Sequence, residues 1–389
     1  MSILSSSLGN SYKRVQLTRI ANSPDESVID CLQPVDIHDR PIAGNDELLL
    51  RVRLTAIHPC DLLCCAGLVS RTRSGSAADN ANFLPGIEAC ASIEMVGDSL
   101  RKEFSVGQRV SVKAWAPWGD WQEANGVWSE YLVVKKESVV LLPDTISDTG
   151  AAMFLSVSLT SYVMMVCALG LQSGDWLVQA AAGSALGRWI IAFAEDRGIN
   201  LINLVRREDQ VAELKRSTNA QHVLHCPSDG SQADELVESI SQITKGQSIK
   251  GGLDPISDGV AASIMLRVMS RYGTVLKFGA LGGSEMHLSR PALLKMSQEG
   301  LQVKGFSIQN WWIPDTPDRT KRLVFDDLIS IVENNPNLGF RISSLYSFDE
   351  IGNAIRASLG TKSAKVFMVP TAKDKHRYRD FLDTKNLIE

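Results

Sequence analysis

The stretch WLVQAAAGSALGR, residues 176–188, passes from an apolar segment through a run of very small residues into a helical pattern. Small side chains let an anionic group approach the backbone. A helix that starts there offers free N–H groups and the positive end of its dipole, which together suit a diphosphate. The next apolar segment, 201–205, ends at Arg206 and Arg207, about twenty residues beyond the turn. A carboxylate at that distance would read an unmodified ribose, whereas an arginine suits a 2′-phosphate. The three-glycine spacing of the dinucleotide fingerprint is incomplete, because only Gly183 and Gly187 are glycine. Tight packing of a strand on a helix is therefore the competing reading. The ordered succession of strand, turn, helix, strand and basic end favours dinucleotide binding.

Three zones position this turn. Residues 15–150 alternate short apolar strands with turns (ELLLRVRLTAI, ACASIEMVG, QRVSVKAWA, WSEYLVV, SVVLLP) and read as β-rich. Between 150 and 310, apolar strands alternate with helical patterns (WLVQ, LINLV, HVLH, GGLDPI, GTVLKFGAL, LQVKGFSI), which predicts a parallel sheet with helices on both faces. Beyond 315, DRTKRLVFDDLISIVEN and YSFDEIGNAIRASL carry helical periods, AKVFMVP reads as a strand, and a charged tail follows as a frayed end or a contact arm.

The 389 residues suffice for about two domains. A net charge of −4 gives no basic footprint for nucleic acid. No apolar run approaches the ~20 residues of a membrane span. The opening MSILSSSLGNSYKRVQ reads as neither a signal peptide nor a clear transit peptide, so neither is expected. Seven scattered cysteines, an odd number without a C-x-x-C pair, predict free thiols in a reducing cytosol.

The phrases GVWSEYLVV (126–134), LTSYVMM (159–165), GDWLVQAAAGSALGR (174–188), INLINLVRRED (199–209), GTVLKFGAL (273–281) and VKGFSIQNWW (303–312) occur in an order that resembles the medium-chain dehydrogenase/reductase superfamily. Over roughly 15–370 the chain is most similar to mitochondrial-type trans-2-enoyl thioester reductases. The resemblance implies an α/β chain: a GroES-like β-rich catalytic domain (1–148 and 310–389) with an inserted Rossmann-type, doubly wound parallel-sheet domain (149–309). It implies NADPH as cofactor. Gly183, Ser184, Ala185, Leu186 and Gly187 would meet the diphosphate, and Arg206 and Arg207 the 2′-phosphate. Thr160, Phe278, Gly279 and Ala280 would lie near the nicotinamide, and Phe306 and Ser307 on the returning segment. A homodimer pairing the edge strands GTVLKFGAL and LQVKGFSI is expected by the same analogy. The expected location is the cytosol, with a mitochondrial one open by analogy.

Zinc-dependent members have a histidine after the glycine of a G-H-E phrase, whereas this chain reads Gly86, Ile87, Glu88. The four-cysteine structural lobe is also absent, since 91–125 contains no cysteine. No metal is expected, and Cys60, Cys64, Cys65 and Cys90 read as small core residues. Reduction of an activated C=C bond is then the natural chemistry: hydride to the β-carbon, charge to the carbonyl oxygen, a proton to the α-carbon.

The family's proton-donor tyrosine is missing. Leu68 or Val69 stands at its place after HPCD, and no tyrosine occurs between Tyr12 and Tyr131. His58 replaces the family's asparagine. His58, with Asp61 of the same phrase, is taken as the candidate catalytic pair, His58 being either the donor or a loop-orienting cap. Val69, Trp311 and Trp312 are the candidate substrate-pocket residues; Trp115, Trp118 and Trp121 pose the same question, with bracing of the fold as the alternative. Arg71 and Arg73 lie in a polar stretch that reads as a solvated loop or a lid. The expected substrate is an enoyl thioester or related enone. The alternatives are an NADPH:quinone reductase, which needs no dedicated proton donor, and a non-catalytic NADPH-binding protein.

Overall fold

The structure is a computed structural model that describes residues 11–68, 84–113, 126–282, 285–312, 316–335, 342–361 and 364–378. Val69, Arg71, Arg73, Trp115, Trp118 and Trp121 lie outside the described residues. The strands in chain order are β1 (Tyr12–Leu17), β2 (Leu32–Ile37), β3 (Glu47–Ala56), β4 (Glu88–Val96), β5 (Arg109–Lys113), β6 (Tyr131–Lys135), β7 (Val139–Leu141), β8 (Trp176–Gln179), β9 (Asn200–Val205), β10 (His222–His225), β11 (Ile249–Asp254), β12 (Thr274–Lys277), β13 (Gln302–Gly305), β14 (Ile342–Ser347) and β15 (Lys365–Val369). Two compact units result, one of 1–156 with 341–389 and one of 157–340.

In the first unit, β14, β15, β3, β4, β5 and β7 form one sheet in that order, with β6 also on β3. All its pairs are antiparallel except β14 with β15. Strand β3, LRVRL at its centre, buries Leu48, Leu50, Val52 and Leu54 at period two. Leu48, Leu50 and Val52 enter a core with Trp128, Phe348, Ile355 and Met368. The charged tail docks at its start: Tyr378 is buried, and its hydroxyl donates to Asp148 Oδ2 at 2.7 Å. Asp148 also receives Arg53 and Arg109. Burial pushes its carboxyl up, but Tyr378 and the two guanidiniums outweigh this and hold it below the usual range.

The second unit is a six-stranded parallel sheet in the order β10-β9-β8-β11-β12-β13. Its central strands β8, β9 and β11 are short and largely buried because helices cover both faces of the sheet. Helix Val260–Val268 buries Ala262, Ile264 and Met265 on one side. Ile191 and Leu214, from helices Ala185–Asp196 and Asp209–Ser217, pack on the other. The order reverses between β8 and β11, which is the switch point where such sheets bind ligands.

Helix Asp318–Asn334 falls in this second unit, although the sequence reading groups everything after 309 with the first. Its attachment is the reason. Asp327 accepts from both the Tyr162 hydroxyl and Arg197, and Phe325 meets Trp311 and Trp312 edge-on. Among the described residues, no helix is long and apolar enough to cross a membrane.

Candidate functional site

The small-residue run forms a turn at the carboxyl end of β8. Ala181 adopts φ 51°, and Ser184 N–H closes the turn on Ala181 O at 2.9 Å. A left-handed alanine is strained, which marks the turn as held by its surroundings. Ser184 then caps helix Ala185–Asp196, its Oγ accepting from Gly187 N–H at 3.1 Å. That leaves the N–H groups of Ala185 and Leu186 as the free donors of the first turn. Gly187 has to be glycine, because a Cβ there would lie 2.6 Å from Ala182 O.

Two buried polar side chains that the sequence reading missed set this turn. Gln179 Nε2 donates to Gly187 O at 3.0 Å and to Asn203 Oδ1 at 2.7 Å, and Asn203 Nδ2 donates to His222 O. The available signal was an amide inside each of two otherwise apolar strands, WLVQ and LINLV.

A cleft of about 300 Å³, open to solvent, lies at the carboxyl ends of β8, β9, β10 and β11. Ala180, Ala181, Arg206, Ser228, Ile256 and Asp258 are among its lining residues. Arg206 is exposed on its wall, while Arg207 turns back to pair with Asp209 at 3.1 Å. The arrangement fits a dinucleotide: free helix N–H groups beside a turn of small residues, and a guanidinium about one strand away. Of the two arginines, Arg206 is the one that lines the cleft.

Phe278, Gly279 and Ala280 leave β12 half-buried or exposed, pinned to the loop after β11. Phe278 N–H donates to Asp254 O, and Ser257 Oγ to Gly279 O at 2.7 Å. A Cβ on Gly279 would stand 2.4 Å from Pro255 O. Phe306 N–H bonds Lys277 O at 2.8 Å, and Ser307 caps the short helix Ile308–Trp311. Thr160 is buried in a single α-turn (Thr160–Tyr162) between two π-helical stretches, Phe154–Leu159 and Val163–Ala168. Such widened turns often mark functional positions. Trp312 is buried and Trp311 half-buried, both packed against Phe325.

In the first unit the HPCD phrase opens helix Pro59–Cys65, with His58 as its N-cap. Asp61 Oδ2 accepts from His58 N–H at 2.7 Å, while Asp61 Oδ1 and His58 Nε2 are buried without a hydrogen bond among the described residues. Glu88 Oε2 lies 4.0 Å from His58 Nε2. Glu88 is fully buried, accepts from the backbone N–H groups of Leu155 and Ser156, and is the cross-strand partner of Lys113. Lys365 Nζ donates to Ile57 O at 3.0 Å.

Burial dominates the electrostatics of this cluster. It pushes Asp61 up to about 7 and raises Glu88. It pulls Lys113 down to about 8 and lowers Lys365, against the pull of neighbouring carboxylates. His58 falls well below its ordinary value through burial and the two lysines, so it is a neutral imidazole at pH 7. Cys60 is pushed well up, by burial and then by Asp61, and stays a thiol. Among the described residues, no group of three or more His, Cys, Asp or Glu side chains is placed to hold a metal ion.

Residues 44–144 match the alcohol dehydrogenase GroES-like domain. This domain together with the parallel-sheet unit gives the chain the medium-chain dehydrogenase/reductase fold. Its sequence relatives include the mitochondrial enoyl-[acyl-carrier-protein] reductase of Arabidopsis thaliana, 27% identical over 290 residues, covering 71% of this chain and 70% of that one. A solved complex of Etr1p with NADP and crotonyl-CoA superposes with a TM-score of 0.75 at 16% identity, over 92% of this chain and 99% of that one. A quinone oxidoreductase of Pseudomonas syringae superposes with a TM-score of 0.73 at 18% identity, over 92% and 100%.

Proposed function

We propose that this chain reduces the activated carbon–carbon double bond of an enoyl thioester, with NADPH as the reductant. It is an NADPH-dependent oxidoreductase. The observation that carries this is the turn and cleft of the second unit: free Ala185 and Leu186 N–H groups for a diphosphate, with Arg206 on the wall of the cleft. The enoyl substrate is supported by the sequence relatives, which are named enoyl-[acyl-carrier-protein] reductases.

Bound NADPH supplies a hydride, which such chemistry places on the β-carbon. The charge that moves to the carbonyl oxygen must then be stabilised and the α-carbon protonated, the proton coming from water. We assign the hydrogen-bond donor role at that oxygen to His58. Its ring is neutral and its Nε2 is unengaged among the described residues, so an N–H there can donate to an enolate oxygen. Asp61 holds the loop by capping the His58 N–H.

Quinone reduction is the second reading, favoured by the absence of tyrosine between Tyr12 and Tyr131, since a quinone needs no dedicated donor of that kind. The test is the loss of NADPH absorbance with purified protein, crotonyl thioester and a simple quinone run in parallel. Turnover of the thioester supports the proposal. Turnover of the quinone alone replaces it with the second reading, and NADPH binding without turnover of either leaves a binding protein.

A further inference from the structure

Helix Ala185–Asp196 buries an arginine behind the cofactor turn. Arg188 is 2% exposed, on a helix whose neighbouring residues Trp189 and Ile190 are apolar and fully buried. A guanidinium is costly to bury unless its donors are used. Arg188 Nε donates to Gly183 O at 3.2 Å, in the turn itself. Nη2 donates to both Glu213 oxygens at 2.8 and 2.7 Å, and Nη1 to Ser217 Oγ at 2.8 Å. Glu213 and Ser217 lie on helix Asp209–Ser217, which starts three residues after Arg206. Gln210, on the same helix, makes a second link. Its Oε1 accepts from Arg207 N–H at 3.3 Å, and its Nε2 would stand 3.1 Å from a Cβ on Gly183.

We propose that Arg188 and Glu213 are a positioning pair that ties the diphosphate turn to the helix following Arg206, so that one buried ion pair sets both ends of the dinucleotide site. This rests on reading the cleft as the NADPH site. The pair acts through Gly183 O, which fixes the peptide leading into the free Ala185 and Leu186 N–H groups. It acts equally through the placement of the segment that carries Arg206. A dinucleotide with a 2′-phosphate depends on both ends, and one without it depends on the turn alone. Loss of the pair therefore weakens NADPH binding more than NADH binding.

The test is titration of NADPH and NADH into the full chain by tryptophan fluorescence or calorimetry, with ligand-free melting measured alongside. The variants are Glu213→Gln, Arg188→Lys and the double variant Arg188→Gln with Glu213→Gln, which leaves no unpaired buried charge. Glu213→Gln and the double variant should raise the Kd for NADPH roughly tenfold or more, and the Kd for NADH by less. Arg188→Lys should fall between these and wild type, since it keeps the charge but loses the planar guanidinium that reaches Gly183, Ser217 and Glu213 at once. Kd values within twofold of wild type for both dinucleotides in the double variant would overturn the proposal, whatever the melting temperature does. A wild-type chain that binds neither dinucleotide would overturn the functional reading instead.

Discussion

His58 and Asp61 share one turn and have opposite titration problems. His58 is held neutral at pH 7 by burial and two lysines. If it donates to the substrate, His58→Asn should lower kcat by about 10² or more, with the KM for NADPH unchanged; full turnover in that variant would end the assignment. Asp61 is raised from 3.8 to about 7 by burial. The native chain thus binds an extra proton there between about pH 4 and 7, relative to the unfolded chain. Its contribution to stability is greatest at low pH and is lost as pH rises through 7. Asp61→Asn keeps an acceptor for the His58 N–H and removes the titration. Melting curves from pH 5 to 8 should show wild type losing stability relative to this variant, whereas parallel curves would mean that Asp61 is charged throughout.

At the scale of elements, the strand-to-helix turn and the docked tail make separate demands. Gly187→Ala drives a methyl to within 2.6 Å of Ala182 O. Backbone cannot yield as a side chain does, so the helix must move away from β8 at a cost of about 1–3 kcal/mol. The Ala185 and Leu186 N–H groups move with it. The variant should therefore melt lower and bind NADPH more weakly, and normal binding would show that the turn is not the diphosphate site. Tyr378→Phe removes the hydroxyl from Asp148, which keeps Arg53 and Arg109. A hydrogen bond to a charged acceptor contributes about 2 kcal/mol, so the unfolding free energy from guanidinium chloride denaturation should fall by about that amount, without any change in NADPH affinity.

At the scale of the whole molecule, β12, expected from the sequence as a pairing edge strand, lies between β11 and β13, whereas β13 pairs among the described residues with β12 alone and leaves Gln302, Lys304 and Gly305 solvent-exposed. An open edge is a template for pairing with another copy, and Tyr272, Leu293 and Leu294 in the same unit expose apolar surface. We expect a homodimer joined along β13. Sedimentation should give twice the 42.5 kDa of the chain, and proline at Val303 should return it to the monomer. A monomeric wild type at micromolar concentration would remove the expectation.

Local rules made much of this molecule readable. Period-two and period-3.6 patterns located the strands from β3 to β13, β15, and the helices Asp318–Asn334 and Ile351–Gly360, because burying one face constrains nearby residues. The turn of small residues was readable for the same reason, since its smallness is needed within a few residues of the strand it touches. What stayed hidden depends on partners far along the chain. Gln179 and Asn203, Arg188 and Glu213, and Tyr378 and Asp148 are 24, 25 and 230 residues apart, and no local pattern says that a buried polar group will find its mate. The sequence likewise showed two arginines after β9, but only the fold turned Arg207 to Asp209 and left Arg206 on the cleft. His58 and Glu88 carry ordinary charges in the sequence. Folding removes their water and moves their titration, because desolvation belongs to the packed interior and to no residue alone.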